Sequence, residues 1–250
     1  MRIGNLMKHI LPAILLIFHL LPASIVAEES EWRQMREQMI EEIKQDMYHA
    51  RRYIGQAQFS ERVLAAIGKV ERHEFVPEHL RKQSYGNYPL PIGDGQTISQ
   101  PFIVALMTEI LAVDANAKVL EVGTGSGYQA AVLAEIVREV YTIEIVANLA
   151  REAQTRLAFL GYDNVHVRYG DGMLGWPQEA PFDGIIVTAA GLNIPDTLLD
   201  QLAPGARLVM PVGAQGEAQQ LKVITKNIDM TITERDVLPV RFVPITHKKR

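Results

Sequence analysis

The chain contains no cysteine among its 250 residues. Disulfide bonds, thiolate metal sites and a cysteine nucleophile are therefore excluded. The sequence also lacks an excess of positive charge: the net charge is −4, and the tail His247–Arg250 is the one locally basic stretch. Because a domain that binds nucleic acid normally carries a basic patch or stripe, we expect no nucleic-acid partner. Internal repeats and low-complexity segments are absent as well.

An apolar run of signal-peptide length lies near the start of the chain. Residues Met1–Ala27 contain Arg2 and Lys8, no acidic residue, and an apolar run from Ile10 to Leu21. This run is about half as long as the ~20 residues that a membrane-spanning helix needs. We predict a secretory signal peptide over 1–27, so that the mature chain is exported, periplasmic for example, with no stable membrane insertion. The alternatives are an uncleaved anchor, or a start codon placed too early and a cytoplasmic protein.

The remaining residues, 28–250, are expected to form a single domain around one core. Its first part, 28–115, is predicted to be helical with a loop-rich segment at its end. Glu31–Ile54 has the period of an amphipathic helix, and Ser60 is placed to cap a second helix. Proline and glycine mark residues 76–101 as loop structure.

Strands and helices alternate through the next part, 116–225, as is typical of βαβ units on a parallel sheet. The last part, 226–250, holds two further strand-like stretches, Thr231–Ile232 and Val240–Pro244. The predicted fold class is α/β, with a mostly parallel central sheet and helices on both faces. A helical addition is expected at the amino end and extra strands at the carboxyl end.

The segment Val119–Gly127, with the sequence VLEVGTGSG, is the most informative motif. An apolar, strand-like run is followed by Gly123, Gly125 and Gly127, and then by a helical stretch. Glycines at such a turn permit positive φ and let the backbone approach a ligand, and amide groups there point at the ligand. Taken alone, the motif also fits a relaxed dinucleotide pattern or an ordinary glycine turn.

Three acidic residues narrow the choice of ligand. Glu144 ends the second predicted strand about 20 residues beyond the first glycine, where an acid accepts hydrogen bonds from ribose hydroxyls. Asp171, followed by Gly172, is placed after a third strand to receive the exocyclic amine of adenine. Glu121 precedes the glycines and would repel a diphosphate, but it tolerates a ligand with an ammonium group and a sulfonium. These residues favour S-adenosylmethionine over NAD.

Several motifs together resemble the protein-L-isoaspartate O-methyltransferase family. The most specific is LPIGDGQTISQP at Leu90–Pro101, whereas the glycine motif indicates the broader methyltransferase class. The others are GDG at Gly170–Gly172, PFDGIIVTAA at Pro181–Ala190 and MPVG at Met210–Gly213. The likeness covers roughly His73 to Pro244.

The resemblance implies a class I methyltransferase fold and S-adenosylmethionine as co-substrate, and we expect no metal. It implies methylation of L-isoaspartyl α-carboxylates in damaged proteins and peptides, which starts repair through a succinimide. Ser99 falls at the family's active-site serine. The family's cofactor positions fall on Gly123, Gly125, Gly127, Glu144 and Asp171. Glu121 and Gly172 adjoin them and are expected to bind the cofactor as well. Backbone contacts to the substrate are expected from Thr97, Ile98 and Val212.

Ser99 has two interpretations. Since it precedes Gln100, Pro101 and an apolar helical run, it is a good helix N-cap. Within the family signature, its hydroxyl would instead donate to the substrate carboxylate and hold one oxygen toward the methyl group. No catalytic histidine is expected, because a carboxyl group with a pKa of about 3.3–3.9 is already an anion at neutral pH. We expect His73 and His79 on the surface.

Two other functions stay open on the sequence: a small-molecule carboxyl or hydroxyl methyltransferase, and a module that binds S-adenosylmethionine or isoaspartyl proteins without turnover. We expect a monomer, although no sequence pattern reports the oligomeric state. The chain departs from the family pattern after VTAA, where Gly191 stands in place of the common proline. The loop Ala190–Pro195 is therefore the part of the acceptor side that the resemblance predicts least well.

Overall fold

The computed structural model describes residues 23–214 and 216–245. Most of the predicted signal peptide lies outside these residues and stays a prediction. The residues from Met35 onward form one compact unit, separate from the part that ends at Gln34. Among the described helices, none combines the length and the apolar composition that a membrane crossing requires.

Six α-helices lie in the described ranges. They are α1 (Ala23–Ile54), α2 (Glu61–Lys69), α3 (Pro101–Leu111), α4 (Tyr128–Ala134), α5 (Ala147–Phe159) and α6 (Asp196–Asp200). The predicted packing stripe of α1 is confirmed where Met39, Ile43 and Met47 are fully buried. The predicted cap of α2 is confirmed too, because the Ser60 hydroxyl accepts a hydrogen bond from the Val63 amide.

Nine strands form a hairpin and a seven-stranded sheet in the described residues. The hairpin consists of β1 (Leu90–Gly93) and β2 (Gln96–Ile98). The sheet consists of β3 (Lys118–Val122), β4 (Glu139–Glu144), β5 (Val165–Tyr169), β6 (Phe182–Val187), β7 (Leu202–Val212), β8 (Gln219–Lys226) and β9 (Ile232–Val240). Its strand order is β5-β4-β3-β6-β7-β8-β9, parallel from β5 to β7 and antiparallel from there to β9. The α/β class and the extra strands at the carboxyl end are therefore confirmed.

The topology fixes where a ligand can bind. The chain moves outward from β3 to β4 and β5, and then returns to the other side of β3 to form β6. Ligands of open α/β sheets bind outside the carboxyl ends of the strands at such a reversal. The apolar side chains of the two central strands are almost fully buried, as expected for a sheet covered on both faces. The core thus holds the ends of β3 and β6 rigidly side by side.

The hairpin corrects the prediction of loop structure over residues 76–101. β1 and β2 pair in antiparallel fashion, and Asp94 and Gly95 connect them with φ of 50° and 73°. Two positive φ values in a two-residue turn are those of a type I′ hairpin, for which Asp-Gly is a preferred sequence. The strand β9 corrects a second detail, because it runs continuously between the two predicted stretches, Thr231–Ile232 and Val240–Pro244.

Candidate active site

A cleft, called here the cofactor cleft, opens at the carboxyl ends of β3, β4 and β6. The hairpin covers one side: its tip is tied to α5 by a hydrogen bond of 3.3 Å from the side-chain Nδ2 of Asn148 to the Asp94 carboxylate. Most of the predicted site residues line the cleft, and the exceptions are Gly127 and Val212. Those that line it are Thr97, Ile98, Ser99, Glu121, Gly123, Gly125, Glu144, Asp171 and Gly172.

The three glycines of the turn have positive φ: 98° at Gly123, 54° at Gly125 and 93° at Gly127. A Cβ atom on Gly123 would lie 2.5 Å from Oγ1 of Thr188 at the end of β6, so the strand ends approach each other because this side chain is missing. A Cβ on Gly127 would lie 3.1 Å from Leu157 of α5. Gly127 therefore serves helix packing, while the first two glycines face the cleft.

Glu144 is buried at the end of β4 and holds the glycine turn in place. Its Oε2 accepts a hydrogen bond of 2.8 Å from the Gly125 amide, and its Oε1 accepts one of 2.9 Å from the Val146 amide. A carboxylate has about four lone-pair sites, so acceptor capacity is left for a donor in the cleft. The predicted contact to ribose is compatible with this geometry and stays a prediction.

Glu121 contributes a fully buried carboxyl group to the floor of the cleft. Its Oε2 accepts a hydrogen bond of 2.6 Å from the Thr142 hydroxyl, whereas Oε1 has no hydrogen-bond partner among the described residues. Burial raises the pKa of Glu121 to about 8, against the lowering effect of Thr142, and the nearby Glu144 adds to the rise. A buried acceptor without a partner fits a ligand that brings a donor or a positive charge.

Asp171 and Gly172 form the turn after β5. The Oδ1 atom of Asp171 accepts a hydrogen bond of 3.0 Å from the Met173 amide and caps a short 3₁₀ turn. A Cβ on Gly172 would lie 2.4 Å from Cγ1 of Val122, so this glycine lets the turn pack on the end of β3. The second oxygen of Asp171 is the atom that the predicted adenine contact would use.

Ser99 is not the N-cap of α3, so that interpretation of the sequence is wrong. The cap position belongs to Gln100, whose side chain makes no capping hydrogen bond. The capping acceptor comes from elsewhere in the chain: Oδ1 of Asn87 accepts a hydrogen bond of 3.0 Å from the Phe102 amide. Asn87 is in turn held by Asp46 of α1 at 2.8 Å. Ser99 is thus released from capping and lines the cleft.

A second cavity, called here the acceptor pocket, adjoins the cofactor cleft. The two share Thr97, Ser99, Thr188 and Val243, and the acceptor pocket continues along Ile103 and Arg241. Ser99 therefore lies where the two cavities meet. Val212 lies apart from both linings: it pairs with Gly191 and packs against the core. Its predicted contact to the substrate stays a prediction and gains no support from this position.

Gly191, where the chain departs from the family pattern, joins the loop after β6 to β7. Its amide donates a hydrogen bond of 3.1 Å to the Pro211 carbonyl, and its carbonyl accepts one of 2.9 Å from the Gly213 amide. A proline has no N–H and would lose the first bond. A Cβ at this position would also lie 3.0 Å from Cε of Met210. The glycine thus permits a backbone pairing that proline would prevent.

The burial of two neighbouring residues, His73 and Arg72, was not predicted. His73 was expected on the surface but is buried, with Nδ1 2.8 Å from the Tyr85 hydroxyl. Burial lowers its pKa, while Glu71 and Glu74 raise it. Its neighbour Arg72 is fully buried as well. Single-sequence patterns place histidine and arginine at the surface, so only a tertiary contact could have revealed these two.

The described residues contain no cluster of His, Asp and Glu that could hold a metal ion.

The reversal of strand order, the glycine turn and the two carboxylates at the strand ends define a class I S-adenosylmethionine-dependent methyltransferase. The cleft fits this co-substrate, since Glu121 presents an acceptor without a partner to a cationic group. The chain belongs to one family of that class. The family model of protein-L-isoaspartate(D-aspartate) O-methyltransferase matches residues 37–250. The resemblance stated on the sequence is confirmed.

Curated relatives and solved structures agree with this assignment. A Polaromonas protein named protein-L-isoaspartate O-methyltransferase 2 is 54% identical over 211 residues, which are 84% of this chain and 100% of the relative. A Syntrophobacter fumaroxidans protein of the same name is 51% identical over 233 residues, 93% of this chain and 94% of the relative. Among solved structures, a protein-L-isoaspartate O-methyltransferase superposes with a TM-score of 0.73 at 27% identity, covering 85% of this chain and 66% of that chain.

A structure from Plasmodium falciparum, in complex with S-adenosyl-L-homocysteine, superposes with a TM-score of 0.69. It is 24% identical and covers 84% of this chain and 98% of that chain. At this identity the likeness shows the fold alone.

Proposed function

We propose that this chain transfers the methyl group of S-adenosylmethionine to the α-carboxylate of L-isoaspartyl residues in damaged proteins and peptides. The observation that carries the proposal is the position of Ser99 at the junction of the cofactor cleft and the acceptor pocket. Its hydroxyl is not used to cap α3, because Asn87 supplies that acceptor. A hydrogen-bond donor at this junction suits a methyl-accepting group that is an anion.

The chemistry requires alignment more than acid or base catalysis. S-adenosylmethionine supplies a methyl group on a positively charged sulfur. A carbon–oxygen bond forms between a carboxylate oxygen and the methyl carbon while the methyl–sulfur bond breaks, and the electron pair of that bond stays on sulfur. No proton moves in this step. Correct orientation alone can supply about 7–11 kcal/mol of rate acceleration, and the chain provides it by holding both reactants in adjoining cavities.

Each residue of the site then has a defined task. The glycine turn and Glu144 shape the cofactor side, and Glu121 offers its carboxyl oxygen to a cationic group there. Ser99 donates to one carboxylate oxygen and leaves the other free to attack. The hairpin covers the junction and limits the access of water, which would otherwise solvate the carboxylate. The resulting methyl ester closes to a succinimide without further help from the enzyme: the following backbone amide nitrogen attacks the ester carbonyl, and the methoxy group leaves as methanol with the amide proton.

The experiment that tests this function uses S-adenosylmethionine labelled in the methyl group. The full chain is incubated with an isoaspartyl peptide, with the same peptide containing normal aspartate, and with small carboxylic acids and alcohols. We expect base-labile label in the isoaspartyl peptide alone. Equal labelling of both peptides, or preference for a small molecule, would favour another methyltransferase. Binding of the peptide without label transfer would favour a binding module.

We further propose that residues 1–27 direct the chain out of the cytoplasm. The leader has two cations, no acidic residue and a short apolar run, and the family match begins beyond it, at residue 37. A reporter fused after Glu29 should be exported, and the mature protein should begin near Glu28. Intact Met1–Ala27 on soluble cytoplasmic protein, found by mass spectrometry, would refute export and support the start codon placed too early.

We also propose that the protein acts as a monomer and has no nucleic-acid partner. The negative net charge supports the second point. Size-exclusion chromatography with light scattering should give the mass of one chain. A retarded nucleic-acid probe at physiological salt would contradict the exclusion of that partner.

A further inference from the structure

We propose that Arg72 is a positioning residue for methyl transfer, because it fixes the backbone of Ser99 while lining neither cavity itself. This proposal rests on the proposed function. The Nη2 atom of Arg72 donates a hydrogen bond of 2.8 Å to the Ser99 carbonyl. Its Nε donates one of 2.7 Å to the Ser84 carbonyl. The guanidinium group therefore joins two segments that are distant in sequence, and one of them carries the active-site serine.

The burial of this cation is difficult to explain by packing alone. Arg72 is among the largest fully buried side chains of the described residues. Burial lowers its pKa to about 10, and the groups that oppose the change are Tyr128 and Tyr85, not a carboxylate. A buried charge is costly to desolvate, and it is retained only where specific hydrogen bonds or ion pairs compensate for that cost. The property that an apolar residue cannot supply is the rigid fork of N–H donors.

The same guanidinium group also contacts the cofactor side of the site. It lies over the ring of Tyr128, 4.7 Å from the ring centroid. Tyr128 is the first residue of α4, directly after Gly127, and it lines the cofactor cleft. Phe75 also packs against this ring in a T-shaped arrangement, with 5.6 Å between the centroids. Arg72 is thus bonded to the acceptor side and stacked on the cofactor side.

The hydrogen bond from Arg72 to the Ser99 carbonyl fixes the direction in which the Ser99 side chain points. The carbonyl of Ser99 is held by Arg72, and the amide of Phe102 is held by Asn87. The short segment between these two bonds is therefore anchored at both ends. If the first anchor is lost, the peptide unit can rotate and the hydroxyl moves away from the junction of the two cavities. A displacement of about 1 Å at a reacting group can cost a factor on the order of a hundred in rate.

A purely structural role is the alternative, and Lys226 provides the control. It is a second buried cation, on β8, and its Nζ donates two hydrogen bonds of 2.9 Å to the carbonyls of Leu199 and Leu202. Like Arg72, it holds two backbone carbonyls, but the residues that carry them, Leu199 and Leu202, line neither cavity. Its replacement should therefore lower stability without a change in turnover of the folded enzyme.

The experiment compares Arg72→Lys, Arg72→Met and Lys226→Met in the full chain. Thermal melts are recorded together with kcat and KM for an isoaspartyl peptide and Kd for S-adenosylmethionine. We expect both Arg72 variants to lose about ten- to a hundredfold in kcat, while Kd changes by less than about threefold because no cofactor hydrogen bond is removed. Lys226→Met should show a lowered melting temperature and wild-type kcat. Arg72→Lys with wild-type kcat would overturn the proposal.

A measurement on the wild-type protein covers the case in which the Arg72 variants do not fold. The Nε–H signal of the buried guanidinium group, resolved by nitrogen-15 NMR, should shift when an isoaspartyl peptide binds in the presence of S-adenosyl-L-homocysteine. The Nζ signal of Lys226 should not shift. An unchanged Arg72 signal in a saturated complex would overturn the proposal. Wild-type protein that binds S-adenosylmethionine but methylates no isoaspartyl peptide would instead overturn the proposed function, and this assignment with it.

Discussion

The Oε2 atom of Glu144 lies 2.8 Å from the amide nitrogen of Gly125. The carboxylate that the sequence assigns to the ribose therefore also fixes the backbone of the glycine turn. Its other oxygen holds the Val146 amide at the start of α5. Glu144 thus holds both backbone segments that follow β3 and β4. A contact to ribose would be made in addition to these two hydrogen bonds.

Replacement of Glu144 by glutamine should weaken cofactor binding and lower stability together. Glutamine has one acceptor oxygen, so one of the two backbone amides would face an NH₂ group. Loss of a hydrogen bond to a charged group costs about 1.5–3 kcal/mol, and we expect losses of that order in both quantities. Isothermal titration with S-adenosylmethionine and thermal melts measure them. The control is Glu152→Gln on α5, an exposed carboxylate. Unchanged affinity in Glu144→Gln would assign the ribose to another residue.

Replacement of Gly125 by valine should abolish cofactor binding. Gly125 has a φ of 54°, which disfavours a β-branched side chain, and the added Cβ would project into the cleft beside Cδ1 of Ile92 at 3.3 Å. Because that neighbour is the end of a flexible side chain, we expect the variant to fold. Calorimetry on the folded variant tests the assignment, and wild-type affinity would contradict it.

Replacement of Gly123 by alanine should instead reduce stability. Its φ of 98° is strained for alanine, and the Cβ would lie 2.5 Å from Oγ1 of Thr188. Gly55→Ala is a matched control, because Gly55 has a φ of 85° with no atom within 4 Å of the added Cβ. Strain alone costs roughly 1–2 kcal/mol. We expect a larger loss at position 123 than at position 55 in urea unfolding, and equal losses would show that the contact with Thr188 is unimportant.

Replacement of Glu121 by glutamine should stabilise the protein increasingly as the pH rises. The pKa of Glu121 is raised from 4.5 to about 8 in the folded state. Between these values the folded state binds more protons than the unfolded state, so the wild type loses stability as the pH rises through this window. Glutamine keeps an acceptor for Thr142 and does not titrate. The melting temperature of the variant minus that of the wild type should grow from pH 5 to pH 8 and then level off. A constant difference would contradict the raised pKa.

Replacement of Ser99 by alanine should reduce the rate and leave stability nearly unchanged. The hydroxyl does not cap α3, so we expect less than about 0.5 kcal/mol of lost stability, as at ordinary surface positions. One lost hydrogen bond to a carboxylate lowers kcat/KM by a factor on the order of ten or more. Asn87→Ala is the contrasting variant, because it removes the actual cap and should cost about 0.5–2 kcal/mol. If Ser99→Ala lowers the melting temperature and leaves kcat/KM unchanged, Ser99 has no part in turnover.

The cofactor side could be predicted from sequence because its residues are close together along the chain. A strand, a glycine turn and a helix are local features, and the spacing to Glu144 follows from one βαβ unit. The hairpin could also have been predicted, because Asp94 and Gly95 form a known turn signal. The surrounding prolines and glycines obscured this signal. The family signature identified Ser99, but its neighbours gave the wrong impression that it caps α3.

Other parts of the site could not be predicted, because they depend on contacts between distant segments. Asn87 caps a helix that begins 14 residues later in the chain and is held by Asp46 of α1. Arg72 is buried only because two carbonyls and an aromatic ring surround it in the folded state. Neither residue type predicts burial by itself, and no periodic pattern includes them.

The capping hydrogen bond of α3 comes from Asn87 and not from Ser99, and this has a consequence for engineering the enzyme. Since Asn87 carries the start of α3, the residue at position 99 does not have to satisfy the helix as well. Side chains that differ from serine in size or charge can be installed there while the helix keeps its first turn. Position 99 is thus a point at which the choice of methyl acceptor can be redesigned independently of folding.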